Sequence, residues 1–249
     1  MPANAHYPDD STGFSKGMTS MADRVMFITG ASGGIGSAVA RQASAAGWRT
    51  VLIGRRRDCL DALAAELGGP TRALSIVADV TEWDQVEHAA ATARETFGQI
   101  DGVMANAGFG AKSGFLAESP EQWKSMILTN VYGAALTIRA TFDDLRAAKG
   151  HLILTGSVAG TVHIAGSIYS ATKWAISAMA ESARLELHGS GARVTLIAPG
   201  YADTAFWDEP PNWDVLTADD VANAVMYALS QPANVALNQI VMRPTDQKV

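Results

Sequence analysis

Short apolar runs alternate with segments of helical periodicity along most of this 249-residue chain. The runs are continuous, which is typical of strands buried on both faces of a parallel sheet. The predicted strands are 25–29, 49–53, 73–78, 102–105, 151–157, 193–198 and 239–242, and the predicted helices are 37–46, 58–67, 82–97, 120–149, 168–188 and 218–230. This order predicts one α/β domain over residues 23–249, with a doubly wound, mostly parallel sheet of about seven strands.

Composition and charge narrow the functional classes. A hydrophobic content of 48% with 18% charged residues predicts a soluble protein with a sizeable core. The net charge of −6, with Arg55-Arg56-Arg57 as the one basic cluster, argues against nucleic-acid binding. The single Cys59 predicts a reducing, cytoplasmic location, and the scattered histidines show no metal-ligand spacing. No apolar run reaches the roughly 18 residues of a membrane helix.

Residues 1–22 are polar, rich in Pro, Gly and Ser, and lack the apolar core of a signal peptide. We expect them to form a disordered N-terminal extension, or to precede a true start at Met18 or Met21.

A glycine-rich turn follows the first predicted strand. The segment Gly30-Ala31-Ser32-Gly33-Gly34-Ile35-Gly36 joins that strand to a helix, so free N–H groups and the helix dipole face an anion. The spacing of Gly30, Gly34 and Gly36 is one residue wider at its first gap than the usual GxGxxG. A corner built of glycines for packing is the alternative, and the position in the first strand–helix unit favours dinucleotide binding.

The second predicted strand ends at Gly54-Arg55-Arg56. In a dinucleotide-binding fold this strand end faces the adenosine ribose, where an acidic residue suits a 2′-hydroxyl and arginine suits a 2′-phosphate. The pattern therefore favours NADP(H) over NAD(H). The alternative is a solvated basic turn before the next helix, the role expected of Arg57.

Further polar or small residues stand at the ends of later strands. Asp79 could accept from an adenine amino group, or Asp79 or Thr81 could cap the next helix. Asn106 could tie neighbouring strands, and Ala107-Gly108 would let backbone lie against a cofactor. Asn130, inside a predicted helix, indicates a local irregularity whose freed carbonyl binds water, or it faces solvent.

Tyr169 and Lys173 lie four residues apart on a predicted helix and so share one face. A nearby ammonium would favour the phenolate and lower the pKa of the tyrosine from its usual value of ~10. Ser157, at the end of the fifth strand run, could then hold a substrate oxygen while a proton moves. Tyrosine and lysine at this spacing are also common on helices without any catalytic role.

Seven segments together resemble the classical short-chain dehydrogenase/reductase family, over roughly Asp23 to the C-terminus. They are TGASGGIG (29–36), ADV (78–80), NAG (106–108), LTNVYG (128–133), LTGSVAG (154–160), YSATK (169–173) and APGYADT (198–204). The resemblance implies a Rossmann fold, a nicotinamide cofactor and the catalytic set Asn130, Ser157, Tyr169 and Lys173. In these terms Tyr169 transfers the proton, Ser157 positions the carbonyl, Lys173 binds the nicotinamide ribose, and Asn130 holds a water.

The predicted cofactor site combines this resemblance with the strand ends. It consists of Gly30, Ser32, Gly33, Gly34, Ile35, Gly36, Arg55, Arg56, Asp79, Val80, Asn106, Ala107, Gly108, Tyr169, Lys173, Pro199, Gly200, Ala202 and Thr204. Two departures from the family pattern affect its fine tuning. Ala105 replaces the usual first Asn of NNAG, and Ala202 replaces a common Val.

The predicted substrate pocket lies where Phe109–Phe115, Val158–Ile168 and the loop 201–216 meet. Its expected residues are Ser157, Tyr169, Phe206, Trp207 and Trp213. The loop contains no arginine to bind a carboxylate, which argues against a hydroxy acid and leaves open an aldehyde or ketone with an apolar side. The segment GRRRDCLDALAAEL and the ending MRPTDQ resemble NADP-dependent members that act on 3-hydroxy acids such as serine, or on clavulanate-type aldehydes.

Two functions remain open from the sequence. An NADP(H)-dependent oxidoreductase is favoured over a catalytically silent NADP(H)-binding sensor or scaffold, because all four catalytic positions are intact. Family resemblance also predicts a homodimer or homotetramer through helices 120–149 and 168–188.

Overall fold

A computed structural model describes residues 23–203 and 212–248. The described residues form one parallel sheet with the strand order β3-β2-β1-β4-β5-β6-β7. The strands are β1 (Val25–Thr29), β2 (Arg49–Gly54), β3 (Ala73–Val77), β4 (Gly102–Ala105), β5 (His151–Thr155), β6 (Arg193–Pro199) and β7 (Gln239–Met242). The predicted single parallel sheet is confirmed, and its order is that of a Rossmann fold. Strand order reverses beside β1, which opens a crevice at the carboxyl ends of β1 and β4.

Helices cover both faces of the sheet. They are α1 (Gly34–Ala45), α2 (Arg57–Glu66), α3 (Trp83–Phe97), α4 (Pro120–Ile127), α5 (Gly133–Ala148), α6 (Ile168–Glu186) and α7 (Ala218–Ser230). Among the described residues, no helix is both long and apolar enough to cross a membrane.

Two apolar cores explain why the strands read as continuous hydrophobic runs. Phe27 packs into a core with residues of α3, α5 and α6, whereas Met26 and Ile28 pack into a second core with residues of α1, α2 and α7. Successive side chains of a strand point to opposite faces. Because both faces are covered, every side chain of β1 must be apolar or have its polar atoms hydrogen-bonded. All five residues of β1 are buried.

The long predicted helix 120–149 is interrupted. A π-helical turn at Leu128–Tyr132 joins α4 to α5, and Asn130 in this turn is 3% exposed. The predicted irregularity is therefore confirmed, and the alternative of a solvent-facing Asn130 is wrong. π-Turns often mark functional sites, because the extra residue changes the direction of side chains and carbonyls.

His151 is buried at the start of β5, where it is 2% exposed. Its Nε2 lies 2.7 Å from Thr195 Oγ1, and that hydroxyl donates to the carbonyl oxygen of Leu237 at 2.6 Å. Since the hydroxyl proton is already committed, His151 must donate from Nε2 and remain unprotonated at Nδ1. Burial, with a smaller contribution from Arg193, lowers the pKa of His151 from 6.5 to about 3.

We predict that His151 makes folding sensitive to acid. Between about pH 6.5 and pH 3 the unfolded chain binds a proton at this position that the folded chain does not, so stability falls as pH falls. His151→Gln keeps a donor for Thr195 but cannot titrate. For each pH unit of acidification in this window, the free energy of unfolding of this variant should fall by about 1.4 kcal/mol less than that of wild type. Denaturant titration measures the free energy of unfolding.

His88→Gln is the matched control, because His88 is exposed on α3. It should keep the wild-type pH dependence. An equal acid response of wild type and His151→Gln would contradict the burial of a neutral imidazole.

Candidate active site

A cleft of about 500 Å³ opens at the carboxyl ends of the strands. The predicted site residues that line it are Gly30, Ser32, Gly33, Gly34, Ile35, Arg55, Arg56, Asp79, Val80, Asn106, Ala107, Gly108, Ser157, Tyr169, Lys173, Pro199, Gly200 and Ala202. Gly36, Asn130 and Trp213 do not line it, and Thr204, Phe206 and Trp207 lie outside the described residues. The structure thus brings residues from seven separate chain segments to one cleft.

The glycine-rich turn forms one wall of the cleft. Gly30 has a φ of 67°, in the left-handed region where glycine carries no steric cost. Gly36 is buried behind the turn, and a Cβ there would collide with the carbonyl oxygen of Gly30. Gly36 therefore acts by letting α1 pack against the turn, and the N-terminus of α1, which has no side-chain cap, is directed at the cleft.

Arg55 and Arg56 stand at the end of β2, beside the glycine-rich turn. The Arg56 guanidinium donates to the carbonyl oxygen of Ser32 at 2.6 Å. The Arg55 side chain is 70% exposed, with its Nη1 3.9 Å from Asp79 Oδ2. Two cations and a helix N-terminus therefore converge on one end of the cleft, an arrangement suited to a phosphate group.

Asp79 shapes the chain after β3. Its Oδ1 accepts from the backbone N–H of Thr81 at 2.9 Å and from the Thr81 hydroxyl at 2.8 Å. The residue that precedes α3 is Glu82, which makes no side-chain cap. Asp79 thus stabilises the turn that leads to the helix, and the alternative of a helix cap at Asp79 or Thr81 is wrong.

Asn106 joins three strands at the bottom of the cleft. Its Nδ2 donates to the carbonyl oxygens of Thr29 at 3.1 Å and Gly30 at 3.3 Å, and its Oδ1 accepts from the Thr155 hydroxyl at 3.0 Å. The prediction that Asn106 ties neighbouring strands is confirmed. The partner on β5, Thr155, was not predicted as a site residue, although its place two residues before Ser157 was a usable signal.

Tyr169, Lys173 and Ser157 occupy the opposite side of the cleft. Ser167 caps α6 by accepting from the N–H of Ser170 at 3.0 Å, so Tyr169 and Lys173 fall in its first two turns. The hydroxyls of Tyr169 and Ser157 are hydrogen-bonded. Lys173 is 6% exposed, donates to the carbonyl oxygen of Thr155 at 2.8 Å, and lies 5.7 Å from the centre of the Tyr169 ring.

Burial controls the charge of both groups. It raises the pKa of Tyr169 to about 12, although the hydrogen bond from Ser157 lowers it in part. Burial also lowers the pKa of Lys173 to about 8. The predicted fall in the tyrosine pKa is therefore wrong for the chain alone, because the loss of hydration outweighs the hydrogen bond with Ser157.

The Asn130 side chain joins three segments next to the cleft by hydrogen bonds. Its Oδ1 accepts from the N–H of Phe109 at 3.0 Å, and its Nδ2 donates to the carbonyl oxygen of Phe109 at 2.9 Å and to Thr172 Oγ1 at 3.1 Å. The side chain thus joins the π-turn, the segment after β4 and α6. These bonds occupy the side-chain amide, and the water that the resemblance assigns to Asn130 stays a prediction.

Two of the three predicted substrate segments meet directly. The N–H of Gly114 donates to the carbonyl oxygen of Gly166 at 3.0 Å, which joins Phe109–Phe115 to Val158–Ile168. The third segment is held at its base by hydrogen bonds between Asp203 and Leu216 at 2.6 Å and between Leu216 and Tyr201 at 2.9 Å. Trp213 packs edge-to-face on Tyr201, with ring centres 5.4 Å apart.

No metal site competes with this interpretation within residues 23–203 and 212–248. These residues hold no group of three or more His, Cys, Asp and Glu side chains placed to bind an ion. The polar groups of the cleft are suited instead to hold an anionic cofactor at one end and to move a proton at the other.

Known proteins resemble this chain in both sequence and fold. Residues 24–214 match the family model described as short chain dehydrogenase. An uncharacterised oxidoreductase of Staphylococcus aureus strain MRSA252 is 36% identical over 231 residues, which covers 91% of this chain and 100% of that protein.

Solved structures agree over nearly the same length. An alcohol dehydrogenase from the archaeon Thermococcus sibiricus, complexed with 5-hydroxy-NADP, is 31% identical with a TM-score of 0.84, covering 91% of this chain and 98% of that one. The closed form of a serine dehydrogenase complexed with NADP⁺ is 30% identical with a TM-score of 0.86, covering 90% of this chain and 96% of that one. The chain therefore belongs to the short-chain dehydrogenase family of oxidoreductases.

Proposed function

We propose that this protein is an NADP(H)-dependent oxidoreductase that interconverts a carbonyl compound and its alcohol, with Tyr169 as the general acid/base. One observation carries the proposal. The hydrogen-bonded pair Tyr169–Ser157 and the buried Lys173 line the same cleft as the glycine-rich turn and the two arginines. A cofactor long enough to reach both ends would place its reactive group beside the proton donor.

The residues present fit a nicotinamide dinucleotide. Gly36 permits the close approach of α1 to the turn, so the helix N-terminus can hold the pyrophosphate. Arg55 and Arg56 would hold a 2′-phosphate, and Asn106-Ala107-Gly108 with Pro199-Gly200 would flank the rest of the molecule. When bound, the cofactor supplies the hydride. Two of the similar solved structures were determined with NADP⁺ or 5-hydroxy-NADP, which supports the same choice.

The protonation states favour Tyr169 as a proton donor. With a pKa of about 12 its phenol is neutral near pH 7, and its hydrogen bond with Ser157 keeps the two hydroxyls side by side. Ser157 would hold the substrate oxygen while Tyr169 gives it a proton. Lys173, with a pKa of about 8, is mostly charged near pH 7 and would stabilise the phenolate that remains.

The substrate side of the cleft favours a small carbonyl compound with an apolar group. Phe109 lines the cleft beside Ser157 and Tyr169, and Trp213 lies near the base of the third segment. We assign Phe206 and Trp207 to the same side by sequence alone. Assembly as a dimer or tetramer stays a prediction, supported by the exposure of Leu128, Tyr132 and Trp174 on the helices proposed to meet.

We predict that Tyr169→Phe loses roughly 10²–10⁴-fold in kcat, because the phenyl ring cannot transfer a proton. NADPH oxidation over a panel of aldehydes and ketones measures it, and the variant should still bind NADPH. Tyr227→Phe is the control, because Tyr227 is exposed on α7. Near-normal turnover of Tyr169→Phe would remove this residue from the mechanism. A wild type that binds NADPH but reduces no carbonyl would favour the silent sensor.

A second prediction concerns pH. Since kcat/KM reports the pKa values of the free enzyme, carbonyl reduction should fall above about pH 8, where Lys173 loses its proton and no longer stabilises the phenolate. The test is to measure kcat/KM for carbonyl reduction from about pH 6 to about pH 10. A flat profile up to pH 10 would contradict the role of a buried ammonium.

A third prediction concerns the choice of cofactor. In the double variant Arg55→Ala/Arg56→Ala, the preference for NADPH over NADH should fall roughly 10- to 100-fold. A fall of this size corresponds to the loss of a charge-assisted hydrogen bond. The ratio of kcat/KM for the two cofactors measures it. Arg57→Ala is the control, since Arg57 begins α2 and does not line the cleft. The proposal fails if wild type prefers NADH, or if the double variant keeps its preference.

A further inference from the structure

The C-terminal tail folds back onto the wall of the cleft. At the last residue of β7, the carbonyl oxygen of Met242 accepts from the N–H of Gly200 at 2.8 Å. A turn closed by the N–H of Gln247 and the carbonyl oxygen of Pro244, at 3.1 Å, then reverses the chain. This turn places Gln247 Oε1 2.9 Å from the N–H of Tyr201, from which it accepts a hydrogen bond.

The same side chain explains the glycine at position 200. The φ of Gly200 is outside the left-handed region, so backbone conformation does not require glycine. A Cβ at this position would instead collide with Gln247 Oε1 and lie 3.2 Å from Pro244 Cδ. The tail therefore occupies the space that a side chain at position 200 would fill.

The segment held by this tail lies at the catalytic end of the cleft. Pro199, Gly200 and Ala202 line the cleft, whereas Gln247 does not. They lie at the end of β6 and just after it, and β6 pairs with β5, the strand that leads to Ser157. The arginines follow β2, on the far side of β1 and β4. A shift of Gly200 and Tyr201 would thus alter the wall near Tyr169 and leave the arginine end unchanged.

We propose that Gln247 is a positioning residue, whose amide oxygen sets the backbone of Gly200 and Tyr201 and thereby the wall that meets the nicotinamide end of the cofactor. This inference rests on the proposed function. Gln247 was not among the predicted site residues, although it ends the segment MRPTDQ, which resembles NADP-dependent members of the family. If Gln247 only anchored the tail, its substitution would lower the stability of the fold. It would not weaken binding at the nicotinamide end more than at the adenosine end.

The test compares two nucleotides that reach different parts of the cleft. NADPH spans it, whereas 2′,5′-ADP carries only the adenosine end. In Gln247→Ala the affinity for NADPH should fall about 3- to 10-fold, the value of one neutral hydrogen bond, and the affinity for 2′,5′-ADP should be unchanged. Gln247→Glu keeps an acceptor oxygen and should restore NADPH binding. Lys248→Ala, on the exposed neighbour, should match wild type.

Unchanged NADPH affinity in Gln247→Ala, or equal weakening of both nucleotides, would overturn the inference. Hydrogen exchange of the Tyr201 amide provides a readout without any nucleotide, and it should be faster in Gln247→Ala than in wild type or Gln247→Glu. Unchanged exchange would also overturn the inference. A wild type that binds neither nucleotide would instead overturn the proposed function, and with it the cofactor role of Gln247.

A double-mutant cycle tests the contact itself. Gly200→Ala should weaken NADPH binding in the wild-type background, because the new methyl group displaces Gln247. In the Gln247→Ala background the same change should cost less, since the shorter side chain leaves room. Additive effects of the two substitutions would overturn the contact as the source of the effect.

Discussion

Two hydrogen bonds of Thr155 hold the halves of the cleft together. Its hydroxyl donates to Asn106, which is bonded to the end of β1, and its carbonyl oxygen accepts from Lys173 on α6. The glycine-rich turn and α6 are thus attached to the same residue at the end of β5. Because the carboxyl ends of parallel strands share one edge of the sheet, a single residue can join both halves.

This construction reduces the hydration of Tyr169 and Lys173. Burial penalises a charged phenolate and a charged ammonium alike, so it shifts the pKa of Tyr169 upward to about 12 and that of Lys173 downward to about 8. The chain alone therefore holds the phenol as an acid and keeps the lysine close to its own titration. Because Lys173 is buried, the interaction between the two groups is also stronger than it would be at the surface.

The walls of the cleft depend on segments distant in sequence. Asn130 in the π-turn fixes the segment at Phe109, and the N–H of Gly114 is bonded to Gly166 between two of the predicted substrate segments. On the β6 side, the tail residue Gln247 contacts Tyr201 from 46 positions away. Each of these bonds satisfies a backbone group of a loop, which is how a rigid scaffold holds loops in a defined shape.

The sequence by itself determined the sheet, the glycine-rich turn and the pairing of Tyr169 with Lys173. These features depend on local rules: a strand covered on both faces is apolar throughout, and residues four apart share a helix face. Only the tertiary structure decided the direction of the pKa shift of Tyr169, the burial of Asn130, and the contact of Gln247 with Tyr201. Each of these depends on what the folded chain brings close from distant positions, and on how much water it excludes, which no local pattern records.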